Sequence, residues 1–86
     1  MMLDKIKLAL RITTNTFDDE LTDLINACYT DLNLVGITAI TENDPLIIQA
    51  VKLYCKSNFS DLDDKQRFSK AYYNLKISMM LSGDYK

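Results

Sequence analysis

The sequence predicts an all-α fold, a small bundle of about four helices. Apolar residues make up 48% of the 86 residues, and the chain has only two glycines and one proline, which is typical of compact helical proteins. Apolar residues also recur at steps of three and four, the spacing of one helix face. We expect one domain over residues 1–86. Its helices are predicted near residues 2–11, 16–35, 45–59 and 65–82, with an irregular loop at 36–44.

The first two predicted helices each carry one apolar face. In the short N-terminal helix this face is made of leucine and isoleucine. We expect Asn15 or Thr16 to cap the start of the second helix with its side chain. Gly36 can supply the left-handed residue that ends it. The apolar face of the second helix consists of Phe17, Leu21, Leu24, Ile25, Cys28, Leu32 and Val35.

The third predicted helix is apolar around most of its surface. Asp44 followed by Pro45 indicates a helix start, with a capping carboxylate and proline in the first turn. The only polar stripe is thin and consists of Gln49, Lys52 and Lys56. A helix that is apolar nearly all round is expected at the centre of the fold. We expect Ile37 and Ile40 to anchor the loop that precedes this helix.

The last predicted helix has two apolar faces, about opposite each other at 100° per residue. The first face, expected to pack in the core, consists of Phe68, Ala71, Tyr72, Leu75 and Met79. The second, which we call the outer stripe, consists of Tyr73, Ile77, Met80 and Leu81. Four helices in so short a chain cannot enclose both faces, and a contiguous exposed apolar patch usually marks an interface. The alternative is that the first helix covers the outer stripe.

The charge is unevenly distributed along the chain, although the net charge is only −2. Ten of the twelve acidic residues lie between Asn15 and Asp64. Lys65, Arg67 and Lys70 open the last helix, where positive charge is mildly unfavourable. These three are therefore candidates for an electrostatic contact with an acidic neighbour.

The residues needed for common catalytic or cofactor chemistry are missing or poorly placed. The chain has no histidine, and its two glycines form no phosphate-binding loop. The carboxylates Asp18, Asp19, Glu20 and Asp23 are expected to point into water, where nothing raises a pKa. We therefore predict no enzyme activity, no cofactor and no metal. Cys28 and Cys55 lie in apolar helical contexts and are expected to be buried thiols.

The sequence disfavours two further sites, a calcium loop and a serine that carries a prosthetic group. The segment "DLDD" before the last helix resembles the start of a calcium loop, but Gln66 stands where the loop needs glycine and Tyr72 where it needs an acid. Ser60, in "FSDL", differs in order and position from the serine of an acyl carrier. The sequence also predicts no membrane span and no signal peptide.

Four segments in order resemble the phage head–tail connector proteins, also called adaptor or head-completion proteins and often described as DNA-packaging proteins. These segments are "KIKLALRI", "TFDDELTDLINACYTDL", "DPLIIQAVKLYCKSNF" and "RFSKAYYNLKISMMLSGDY". The resemblance extends from Leu3 to Tyr85 and contains no catalytic signature. Many relatives continue past the position of Tyr85 with a tail that reaches the portal or a neighbour, whereas this sequence stops at Lys86, so docking through such a tail is not expected.

The resemblance implies a structural virion protein at the head–tail junction, made in the cytoplasm of a bacterial host by a phage or prophage. It implies a ring, dodecameric in the virion, beneath the portal protein. Such a ring extends the DNA channel, lets double-stranded DNA pass without specific binding, and docks a head-completion, stopper or tail protein. The isolated chain is expected to be monomeric until portal is present.

The resemblance also assigns candidate surfaces. Interface candidates are the outer stripe residues Tyr73, Ile77, Met80 and Leu81, together with Tyr85. Candidate channel-facing groups are Asp18, Asp19, Glu20 and Asp23, or the loop 37–44. The remaining alternatives are an acidic helical module that binds or regulates a basic partner, and a carrier protein modified at Ser60.

Overall fold

The computed structural model describes residues 2–59 and 65–85, and these form an all-α bundle. Its helices are α1 (Met2–Leu10), α2 (Asp18–Leu34), α3 (Pro45–Phe59) and α4 (Lys65–Ser82). The predicted helices are confirmed, with ends that differ by no more than two residues. Ser60 and the acidic segment up to Asp64, which carried the carrier-protein and calcium-loop hypotheses, lie outside the described residues.

The third helix is the central element, as predicted. It packs against α1, α2 and α4, and Ile47, Ala50, Val51 and Cys55 are fully buried on it. Its start also follows the prediction, because the Asp44 carboxylate accepts a hydrogen bond from the backbone N–H of Leu46 at 2.8 Å. The helix is therefore held in place by apolar contacts on several sides.

The start of α2 does not follow the prediction. The capping position is Phe17, and it makes no side-chain capping hydrogen bond. The side chain of Asn15 instead accepts a hydrogen bond from the Lys7 ammonium at 2.9 Å, and the Thr16 hydroxyl bonds to that of Thr14 at 2.9 Å. Both predicted caps are wrong because tertiary and turn contacts compete for the same oxygens.

The C-terminal ends of α1 and α2 are each followed by a residue with left-handed backbone. Gly36 has φ 91° after α2, and the N–H of Ile37 donates to the carbonyl of Leu32 at 3.0 Å, so the predicted stop is confirmed. Arg11 has φ 59° after α1, although an arginine side chain is strained there. The N–H of Ile12 donates to the carbonyl of Lys7 at 2.9 Å, which closes the last turn.

The loop between α2 and α3 is held from both ends of the described chain. Ile37 is buried in the core, and Ile40 packs against it, as predicted. From the N-terminal side, the Lys5 ammonium donates to the Glu42 carbonyl at 2.8 Å. From the C-terminal side, the N–H groups of Thr38 and Ala39 donate to the Tyr85 carbonyl at 2.6 and 2.8 Å. The loop is thus a fixed part of the fold.

Candidate interaction surface

The outer stripe of α4 is largely exposed. Tyr73 is 56% exposed, Met80 40% and Leu81 82%, while Ile77 is half-buried. On the opposite face, Tyr72 and Met79 are buried, and Phe68, Ala71 and Leu75 are partly buried. The helix packs mainly against α3, whereas α1 packs against α2 and α3. The alternative in which the first helix covers the outer stripe is therefore wrong for Tyr73, Met80 and Leu81.

Tyr85 lies differently from the rest of the predicted interface set. Its ring is partly buried against the core, and its hydroxyl donates to the Asp44 carboxylate at 3.2 Å. Burial of the phenol, followed by its hydrogen bond to this carboxylate, raises the pKa of Tyr85 above its ordinary value. Tyr85 therefore connects the C-terminal end of the described chain to the start of α3 through this hydrogen bond.

A polar network that the sequence analysis missed joins α2 to α4. The Tyr72 hydroxyl donates to the Asp31 carboxylate at 2.6 Å, and the Lys76 ammonium lies 3.0 Å from the same oxygen. The ammonium also sits 5.3 Å from the ring centre of Tyr72 and 5.5 Å from that of Tyr73, within cation–π range. The buried core face and the exposed Tyr73 are thus linked through one lysine.

The network shifts the pKa values of its members. Burial alone would raise the pKa of Asp31, but hydrogen bonds from Tyr72 and Lys76 and the lysine charge outweigh it and lower that pKa. Burial, followed by the hydrogen bond to Asp31, raises the pKa of Tyr72. No sequence signal marks this network. Asp31 and Lys76 are 45 positions apart, and each occupies a position of its helix where a polar side chain is ordinary.

The basic start of α4 is on the surface, as expected. Lys65, Arg67 and Lys70 are all exposed. The Arg67 guanidinium lies 5.4 Å from the ring centre of Phe68, as does the Lys56 ammonium. Two basic side chains therefore lie within cation–π range of the Phe68 ring.

The acidic start of α2 divides into one paired carboxylate and three exposed ones. Asp18 is half-buried, and the Lys7 ammonium lies 2.8 Å from its Oδ1 atom, so the expectation that all four carboxylates point into water is wrong at Asp18. Asp19, Glu20 and Asp23 are exposed. These three remain available to another molecule.

A groove of about 420 Å³ runs between α3 and α4 beside the outer stripe. Tyr54, Ser57 and Asn58 line it from α3. Lys65, Ser69 and Tyr73 are among the residues that line it from α4. Among residues 2–59 and 65–85, the lining contains two lysines and no acidic residue. Tyr73 belongs both to the groove and to the outer stripe. The groove is suited to polar, carboxylate-bearing ligands.

The described residues offer little for metal or thiol chemistry. Among residues 2–59 and 65–85, no group of three or more histidine, cysteine or acidic residues is placed to hold a metal ion. Cys28 and Cys55 are free and fully buried, as expected. Burial raises the pKa of each thiol to about 12. No helix in the part of the chain described here is long and apolar enough to span a membrane.

An all-α bundle with an exposed apolar stripe beside a polar groove has a surface of the kind that contacts other proteins. The family model of the phage connector proteins matches residues 2–86, so the chain belongs to the phage connector family. This confirms the resemblance noted in the sequence. The role that follows is that of a connector, a structural component of the virion. No significant match was found to a curated protein or to a solved structure.

Proposed function

We propose that this connector assembles through the outer stripe of α4 into a ring beneath the portal protein, with residues 1–86 acting as one helical unit. The observation that carries the proposal is the exposure of Tyr73, Met80 and Leu81 on one helix face. Burying a side chain of this size contributes about 1.5–3 kcal/mol. A second protein surface would supply that burial, either a neighbouring subunit or the portal itself.

In this proposal the ring extends the DNA channel and offers a docking surface to the next head-completion, stopper or tail protein. A ring built by rotation uses two different surfaces of each subunit, one against the other. A net charge of −2 suits the channel, because lysine and arginine contacts to phosphate would add salt-sensitive affinity and slow the passage of DNA. The acidic start of α2 and the loop 37–44 are the two candidates for the channel wall.

The test is assembly with the portal protein of the same phage, followed by light scattering. Wild-type protein is expected to gain mass when portal is added, and a regulator of some other partner would not. Tyr73→Asp and Met80→Asp are expected to abolish this gain, because each places a charge inside an apolar contact. Circular dichroism should show that both variants remain folded, since neither side chain is buried.

Leu8→Asp is the matched control, because Leu8 on α1 is 80% exposed and lies outside the outer stripe. It should assemble like the wild type. If Tyr73→Asp and Met80→Asp assemble as well as Leu8→Asp does, the outer stripe is not the interface. If both unfold, the stripe belongs to the core and the proposal fails as well.

A further inference from the structure

The groove between α3 and α4 has the chemistry to receive carboxylates. Lys76 on its wall is already paired with Asp31 at 3.0 Å, so the exposed Lys65 at its mouth supplies the cation for a ligand. The Ser69 hydroxyl and the Gln66 amide add neutral donors from α4, whereas the Asn58 amide on α3 already donates to the Tyr54 carbonyl at 2.8 Å. Charge-assisted hydrogen bonds to a carboxylate are stronger than neutral ones.

The start of α2 carries the complementary charge. Asp19 and Asp23 are exposed and lie four residues apart, so they face the same side of the helix and repel each other. Glu20 is exposed beside them. Asp18 does not take part, because Lys7 of the same chain already neutralises it. A cation supplied by another molecule would relieve this repulsion.

We propose that the groove receives the acidic start of α2 from a second copy of this chain, with Lys65 against the carboxylates of Asp19 and Asp23. This inference rests on the proposed ring. The groove and the start of α2 are different surfaces, so the contact is head-to-tail, the type that closes a ring. Tyr73 lines the groove and also belongs to the outer stripe, so the polar and apolar contacts are continuous. The loop 37–44 is then left as the candidate for the channel wall.

The test is a charge swap measured by assembly with portal over a series of protein concentrations. Lys65→Glu and Asp23→Lys, each alone, are expected to raise the concentration for half-assembly at least about tenfold, since like charges brought together cost well over 1.4 kcal/mol. Mixing the two variants should restore assembly, with the variants alternating around the ring. The groove of Lys65→Glu then contacts the start of α2 of Asp23→Lys, and the unaltered groove of Asp23→Lys contacts the unaltered start of α2 of Lys65→Glu. Arg11→Glu, which reverses a positive charge at an exposed position outside both the groove and the outer stripe, is the control and should assemble normally.

The outcomes separate this inference from the proposed ring. If wild-type protein and Lys65→Glu assemble equally while Tyr73→Asp does not, the ring stands and the groove contact is overturned. If wild-type protein does not assemble with portal, the ring itself fails, and the groove contact fails with it. Binding of a short DNA duplex, measured by fluorescence anisotropy and lost in Lys65→Glu, would identify the groove as a nucleic-acid site and would also overturn the inference.

Discussion

At the scale of single residues, the Asp31 carboxylate connects two helices that otherwise meet little. It accepts hydrogen bonds from Tyr72 and Lys76 on α4, and Tyr72 stacks edge-on against Tyr54 of α3, with ring centres 5.2 Å apart. The Cys28 thiol lies 3.8 Å from the Tyr72 hydroxyl. Since Tyr72 is buried, its hydroxyl needs an acceptor, and Asp31 supplies one.

This contact predicts a specific pH dependence of stability. Because the folded pKa of Asp31 is lowered, its contribution is fully present above the ordinary aspartate pKa near 3.8 and is lost as pH falls through the folded value. Asp31→Asn should lower the free energy of unfolding by about 1 kcal/mol at pH 7, a value reduced for the partial exposure of this side chain. The difference from wild type should shrink as the pH falls below that ordinary value and through the lowered pKa of Asp31.

Urea denaturation at a series of pH values is the measurement. Asp23→Asn is the control, because Asp23 is exposed on the same helix and should change stability little at any pH. A stability difference between wild type and Asp31→Asn that stayed constant down to pH 2 would contradict the assignment, because it would show that the charge of Asp31 contributes nothing.

At the scale of elements, α4 places two adjacent methionines in opposite environments. Met79 is 2% exposed and packs in the core, whereas Met80 is 40% exposed on the outer stripe. The reason is the helical rotation of about 100° per residue. Neighbouring residues of the same type therefore differ in role: Met79 stabilises the bundle, and Met80 is part of the proposed contact with a partner.

Alanine substitutions at these positions should separate the two purposes. Met79→Ala should lower the free energy of unfolding by about 2–5 kcal/mol, because it leaves a cavity in the core. Met80→Ala should cost less than about 1 kcal/mol in the monomer, yet weaken assembly with portal. Chemical denaturation of the monomer measures the first effect. Equal destabilisation by the two substitutions would mean that the two faces of α4 are equally enclosed.

At the scale of the whole molecule, the two thiols report on opening of the bundle. Cys28 on α2 and Cys55 on α3 are fully buried at the contact between these helices and the rest of the core. A thiol with a pKa of about 12 has almost no thiolate at pH 8, and the surrounding side chains block access to it. Reaction with a thiol reagent therefore requires the structure to open.

We expect labelling of both cysteines at pH 8 to be slow and to accelerate with added urea in parallel with global unfolding. Labelling followed by mass spectrometry is the measurement. A Ser69→Cys variant, which places a thiol at an exposed position of α4, should label at once and supplies the reference rate. Rapid labelling of Cys28 or Cys55 without denaturant would contradict the packing described for α2 and α3.

The sequence alone determined the helices, their core faces, the central place of α3 and the two-sided character of α4. All of these depend on the spacing of apolar residues within one segment, which periodicity records directly. It also carried the likeness to the connector proteins, which the family match confirms. The assignment of Asn15 or Thr16 as a cap failed because local capping preferences take no account of competing partners. The Lys7 ammonium binds the Asn15 side chain, and the Thr14 hydroxyl binds that of Thr16.

Only the tertiary structure decided which distant side chains meet. The pairs Lys76–Asp31 and Tyr85–Asp44 join residues more than 40 positions apart, and the groove that contains Tyr73 exists only because α4 lies against α3. The packing of α1 away from the outer stripe was likewise open in the sequence. Helix periodicity specifies which face of a helix is apolar, but the side chains of the other helices decide which neighbour covers that face, or whether any neighbour does.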